Sequence, residues 1–362
     1  MLDALIAGAG PAGATTALLI ARAGKAARIY ERREFPRTKA CGEYLSAGTV
    51  RALYRLGVAE ELEIQARTIR GVRLHGHGVS ACIDFPQPGW SLPRRVLDQV
   101  LLNAAMRAGA AVVRAHVEDA RDGAEFGTIG IRLPGGGTAQ AQGAAVVGAD
   151  GMHSIVARKC SFASEVSNGS RFALGGHYTG FTRLDGYIDM FVHRSGYVAV
   201  NPLSDHVANV MIIVDEAELQ AHREDVEAFA QARARGLAGE LFENAQLEGK
   251  RIAIGPLSYR AKQFSGQHVL LAGDAAAFLD PFTGQGVYLA LRCAEIAAEC
   301  ILSGDLRAYG QRVRREIAER DRAARRVARI IASPTIARAA AWFMGRSSWL
   351  FSPLVSRVTG GA

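Results

Sequence analysis

Residues Leu2–Arg32 read LDALIAGAGPAGATTALLIARAGKAARIYER, and this stretch decides the fold. Leu5–Ala7 is a short apolar run of the kind that forms a buried parallel strand. Gly8, Gly10 and Gly13 follow in the spacing G-x-G-x-x-G, with Pro11 and Ala12 between them. A helical pattern runs from Ala14 to Ala23 and stops at Gly24, a residue suited to a helix C-terminus. A second strand, Ala27–Tyr30, ends in Glu31. In such a turn the first glycine permits the tight bend, the second lets a pyrophosphate approach the backbone, and the third lets helix and strand pack closely. The phosphates then meet the unpaired N–H groups and positive dipole end of the helix. Glu31, 18 positions after Gly13, can accept hydrogen bonds from an adenosine ribose. The stretch alone leaves FAD, NAD and NADP open. Glu31 repels a 2′-phosphate, whereas Arg32 and Arg33 blur that repulsion.

The 362 residues suit about two domains. An apolar fraction of 49% and a charged fraction of 22% are those of an ordinary globular chain. The N-terminus enters the first strand at once, which leaves no room for a signal peptide, and no apolar run is long enough to cross a membrane. The five cysteines, at 41, 82, 160, 293 and 300, have irregular spacing and no CxxC, so the chain reads as reduced and cytoplasmic. The net charge of +8 is concentrated in Asp305–Arg346, where eleven arginines face four acids. Without interleaved aromatics this tract does not read as a nucleic-acid surface. It reads as a solvated helix face, with an anionic membrane surface as the second reading.

Downstream, Ser46 is placed to cap a helix running to Leu56. Cys41-Gly42-Glu43 lies in the loop before it. There Cys41 is either a small buried hydrophobe or a cofactor contact. Val72–Phe85 reads as a pair of strands outside the first fold, with His75 and His77 on the strand surface. Trp90–Gly109 carries a helix entered at Pro93, with Arg95 at its head. Ala111–Val117 is β-rich. Val146–Asp150 is a further apolar strand, followed by Gly151-Met152-His153-Ser154 and a helix. Ser170–Val214 alternates, carries aromatics and reads as an antiparallel sheet of a second domain. Arg251–Tyr259 is expected to return to the first. Val269–Arg292 holds a buried strand, Gly273-Asp274, a loop with Pro281, Gly284 and Gly286, and a helix whose Cys293 and Cys300 suit core packing. Beyond the break at Pro334, Trp342, Phe343, Trp349, Leu350 and Phe351 either cover the core or form an apolar mouth for substrate or membrane.

The three motifs Gly8-x-Gly10-x-x-Gly13 with Glu31, Gly148-Ala149-Asp150-Gly151-x-x-Ser154, and Gly273-Asp274 with Pro281-x-x-Gly284-x-Gly286 together resemble the FAD-dependent oxidoreductases of the para-hydroxybenzoate hydroxylase type. Cys41-Gly42-Glu43 after Lys39, and Arg158 one place later than the usual arginine of the second motif, are similar to the geranylgeranyl reductase branch. The resemblance implies an α/β fold with a Rossmann-like FAD-binding domain (1–75, 92–160 and 250–320). It adds a second α+β substrate domain on an antiparallel sheet (76–91 and 161–249) and a C-terminal helical segment (321–362). It also implies a cofactor-binding set. Gly8, Gly10, Pro11, Ala12, Gly13, Glu31 and Arg32 come from the first motif, with Cys41, Gly42, Arg95 and the backbone of Val117 from the segments after it. Asp150 and Gly151 shape the groove. Asp274 takes the ribityl chain, with Pro281, Gly284, Gln285 and Gly286 beside it. Cys41, Pro281, Phe282 and Tyr197 are expected to face flavin and substrate.

The implied function is an NADH- or NADPH-dependent monooxygenase that hydroxylates an apolar, aromatic or polyketide-like small molecule through a flavin C4a-hydroperoxide. The alternative is a reductase of carbon–carbon double bonds in a prenyl or lipid substrate. A flavin-binding protein without turnover is the third reading. The halogenase motif W-x-W-x-I-P has its counterpart in Tyr197-Val198-Ala199-Val200-Asn201-Pro202, which lacks both tryptophans and disfavours halogenation.

Overall fold

The computed structural model describes residues 1–76, 78–164, 171–193, 195–257, 259–279, 282 and 284–332; the side chains of 79 and of 323–332 are not described. Pro281 and the aromatic stretch from Trp342 to Phe351 fall outside the described residues, as does most of the expected C-terminal segment.

The first strand, Leu2–Ala7, is the axis of one sheet. It pairs in parallel with Ala27–Glu31 on one side and with the end of Thr138–Gly148 on the other. Ala111–Arg114 and Val269–Leu271 extend this parallel set at its two edges. Its central residues, such as Leu5, Ile6, Ile29 and Val147, are fully buried, as the near-continuous apolar runs of parallel strands require. The strands His116–Asp122, Gly127–Arg132 and the start of Thr138–Gly148 form an attached antiparallel meander. The helix Pro11–Arg22 packs against the helices Arg94–Arg107 and Gly286–Ser303. Gly24, at φ +74°, lies just past the helix cap at Ala23.

A second, eight-stranded sheet is mostly antiparallel. It runs from the edge strand Gln246–Ile254 through Arg171–Thr179, Ala208–Asp215, Gly196–Pro202 and Tyr187–His193 to Arg67–Gly76, Val79–Ser91 and Tyr44–Leu45. Three segments join this sheet although the expected boundaries grouped them, wholly or in part, with the first body, the shortest being Tyr44–Leu45, which pairs with the end of Val79–Ser91. Arg67–Gly76 hydrogen-bonds in parallel to Tyr187–His193. Residues 250–254 continue the edge strand instead of crossing back. The reading of Val72–Phe85 as strands outside the first fold agrees with this pairing, whereas Tyr44–Leu45 and residues 250–254 carry no local signal for it, because a strand's partners are set by long-range pairing.

Alternation gives the second sheet two different faces. Val198, Val200, Val210, Ile212 and Val214 point outward onto the helix Val226–Ala238. Tyr197, Met211, Ile213, Ile188 and Met190 point the other way, toward the first body. The functional cavity lies against this inner face.

Candidate functional site

The glycine turn performs three separate structural tasks. Gly8 has φ +96°, which a side chain rarely tolerates. A Cβ on Gly13 would stand 1.9 Å from the Gly8 carbonyl oxygen, so only glycine lets the helix approach the strand there. A Cβ on Gly10 would meet nothing nearer than Arg37 Nη2 at 3.7 Å, and Gly10 lines the cavity. Two helices begin at this cavity, at Pro11 and at Gly286. Neither has a side-chain cap on its first N–H groups and neither has an acid in its first turn. Both therefore present open donors and the positive end of a dipole to whatever occupies the space.

Glu31 accepts hydrogen bonds from Ala9 N at 2.9 Å and Arg33 N at 2.8 Å, which ties the end of the second strand to the glycine turn. Arg32 is exposed, and its carbonyl receives Arg114 Nε. Val117 is buried two residues beyond Ala115, whose N–H donates to the Glu31 carbonyl. Asp150 turns inward: its carboxylate accepts from Ser154 Oγ, Ile155 N and Val156 N and so caps a short helix. Burial pushes its pKa upward against those hydrogen bonds. Ala149 and Gly151, on either side of it, line the cavity.

The third motif closes the groove. A Cβ on Gly273 would lie 3.1 Å from Ala12 Cβ, so the Gly273-Asp274 turn sits directly against the first helix. Asp274 lines the cavity and pairs with Lys39 Nζ at 2.8 Å. Phe282, Gly284, Gln285 and Gly286 line the same wall. Gly284 has φ +63°, and a Cβ there would strike the Tyr44 ring at 2.5 Å. Tyr197 stands edge-on to Phe282, with ring centroids 5.2 Å apart.

Cys41 and Gly42 come from the loop between the bodies and also line the cavity. Arg95, expected at the cofactor, is exposed and lies outside the cavity lining; the buried guanidinium there belongs to Arg94. Successive helical residues differ by about 100° around the axis, so a one-residue error in the helix phase exchanges inside for outside. Arg94 makes a two-pronged contact with Asp98, Nε to Oδ1 at 2.8 Å and Nη2 to Oδ2 at 2.9 Å. Burial alone would lower its pKa, but Asp98 and the Cys41 thiol reverse the direction and hold it charged. Arg37, whose pKa is lowered by burial, leans on the same Asp98 at 3.7 Å.

The residues fit an extended dinucleotide. Two uncapped helix starts and the Cβ-free edges at Gly10, Gly151 and Gly286 leave room for phosphate and ring to reach the backbone. A family model described as FAD binding domain matches residues 1–329. The chain belongs to this FAD binding domain family. It is an FAD-dependent oxidoreductase of the para-hydroxybenzoate hydroxylase type. It is 28% identical to a menaquinone reductase of Mycolicibacterium smegmatis, over 85% of this chain and 78% of that one. It is 27% identical to digeranylgeranylglycerophospholipid reductase 2 of Methanopyrus kandleri, over 82% and 76%. The fold superposes on the flavin-dependent brominase Bmp2 with a TM-score of 0.86 at 21% identity, covering 99% of this chain and 93% of that one.

Sequence reasoning passed over Arg94, Lys39, Arg37 and Glu43 as site residues. Only the glycines and the acids of the three motifs carry a spacing signal; the others reach the cavity through tertiary folding.

Proposed function

We propose that this FAD enzyme reduces carbon–carbon double bonds in an apolar, prenyl-type substrate and draws its electrons from NADH or NADPH. The observation that carries the reading is the inner face of the second sheet. Ile188, Met190, Ala199, Met211 and Ile213 present an almost uninterrupted apolar wall to the cavity. Ala199, where the halogenase motif has its second tryptophan, keeps that wall open. The menaquinone reductase and the digeranylgeranylglycerophospholipid reductase among the relatives support a reductase acting on a prenyl-type substrate.

Bound FAD would supply the two-electron hydride chemistry. The glycine turn, Asp274 and the helix start at Gly286 would hold the cofactor. The apolar wall would bind the hydrocarbon and exclude water. Cys41, on the opposite loop, is the proposed proton donor to the second carbon, with its thiol beside the Arg94 guanidinium. The Tyr197–Phe282 pair favours a second reading, hydroxylation of an aromatic ring packed against it.

Turnover with NADPH in the absence of oxygen separates the two. The reductase reading requires full anaerobic conversion to a product that has gained two hydrogens. A product that forms only with oxygen and carries an added oxygen atom would overturn it in favour of hydroxylation.

A further inference from the structure

The apolar wall is crossed by a single polar row. His177, Asn209 and Asn201 are register partners on three adjacent strands: His177 lies opposite Asn209, and Asn209 opposite Asn201. All three reach the loop that carries Cys41. Asn201 Nδ2 donates to the Gly42 carbonyl at 2.7 Å, and Asn209 Nδ2 donates to Glu43 Oε2 at 3.1 Å. His177 Nε2 lies 2.7 Å from the same carboxylate oxygen. The other oxygen accepts the Arg94 N–H at 2.8 Å. The two amides have no choice of orientation, because a peptide carbonyl and a carboxylate only accept. Both asparagine side-chain carbonyls are left buried without a partner, which costs stability.

Glu43 itself is 2% exposed and has φ +56°, a conformation that costs a non-glycine residue about 1–2 kcal/mol. Its N–H donates to Cys41 Sγ at 3.3 Å. Strain and unpaired carbonyls thus converge on one backbone unit, and that unit holds the thiol.

We propose that Glu43 is a positioning residue: gripped by His177 and Asn209, with Asn201 holding the Gly42 carbonyl beside it, it fixes the Cys41 thiol on the cavity wall, and His177 sets how firmly. This deepens the proposed reductase reading but does not need turnover to be tested. The charged groups around His177 define the expected pH behaviour. The Glu43 hydrogen bond and charge raise its pKa, burial and Arg95 oppose that, and Glu248 on the edge strand adds to it. The charged imidazole is therefore favoured in the folded protein. Its grip is complete below the ordinary value of 6.5 and is lost as pH climbs through the raised one.

The test is site-resolved alkylation of Cys41, read by mass spectrometry on the FAD-loaded chain from about pH 6 to about pH 9. The flavin spectrum, recorded in parallel, shows separately whether the cofactor is present. In His177→Gln the Cys41 rate is expected to exceed wild type about tenfold at the acid end, the factor of one lost charge-assisted hydrogen bond. The two rates should converge at the alkaline end, where wild type has released its own grip. Glu43→Gln should exceed wild type across the whole range. A His177→Gln to wild-type ratio that stays constant with pH overturns the proposal, and this variant decides alone if Glu43→Gln does not fold.

Discussion

Replacing Gly10 by alanine separates the cofactor's demand for space from the fold's. The backbone at Gly10 has φ −69°, ordinary for any residue, and the nearest atom to an added Cβ is 3.7 Å away. The substitution therefore costs the fold only what an N-terminal helix position loses with alanine, under about 1 kcal/mol. The added methyl does, however, occupy the side from which a phosphate reaches the amides of the first turn. Loss of one hydrogen bond to a charged group is worth about 1.5–3 kcal/mol, or roughly ten- to hundredfold in affinity. Gly13→Ala is the control of opposite sign. Its Cβ would fall 1.9 Å from the Gly8 oxygen, so strand and helix must separate, at a cost of about 1–3 kcal/mol or more in stability. Quenching of FAD fluorescence on titration into cofactor-free protein gives the affinity, and urea unfolding gives the stability. The expected result is a Gly10→Ala protein of near wild-type stability and weakened FAD binding, beside a destabilised Gly13→Ala protein. A Gly10→Ala variant that binds FAD as wild type does would refute the assignment of that open edge to the pyrophosphate.

Further outcomes follow from single contacts. Asp98→Ala leaves the buried Arg94 without its partner and should lower the unfolding free energy by about 3–5 kcal/mol in urea; a loss below about 1 kcal/mol would mean that water or another group replaces the carboxylate. Ala199→Trp should fill the space over the apolar wall and raise KM for a prenyl substrate at least tenfold while FAD still binds; an unchanged KM places the substrate elsewhere. Cys82 is exposed, whereas burial pushes the Cys293 thiol up to about 12. Maleimide should therefore label Cys82 in the native protein and Cys293 only after unfolding, as peptide mapping would show.

How much of this was legible in advance depends on the kind of signal each residue carries. The division of labour among Gly8, Gly10 and Gly13 is a property of spacing, and the structure gives Gly8 its positive φ and Gly13 its close contact with the strand. Ser46 follows cap chemistry and accepts from Thr49 N; Ser154, placed before its helix by sequence, does the same for Ala157 N. Arg95 and Arg94 differ by one helical step, and composition does not fix the phase of a helix whose head is charged. Glu43 stands in the Cys41-Gly42-Glu43 triplet, which marks the loop but says nothing of the acid's own partners. An acid in a loop reads as solvated, and only the register of three remote strands brings His177, Asn209 and Asn201 to it. The same limit hid the membership of Tyr44–Leu45 and of residues 250–254 in the second sheet. The unusual backbone of Glu43 is a case where local rules fail at a site that the tertiary structure holds in place.

The most direct measurement is the stoichiometry with which the purified chain takes up FAD, in wild type and in Asp274→Ala. If the glycine turn, the Asp150-Gly151 segment and the Asp274 turn make one groove, wild type binds a single equivalent and shows a visible flavin spectrum, and Asp274→Ala binds it more weakly. A folded wild-type chain that stays colourless with excess FAD would contradict the account.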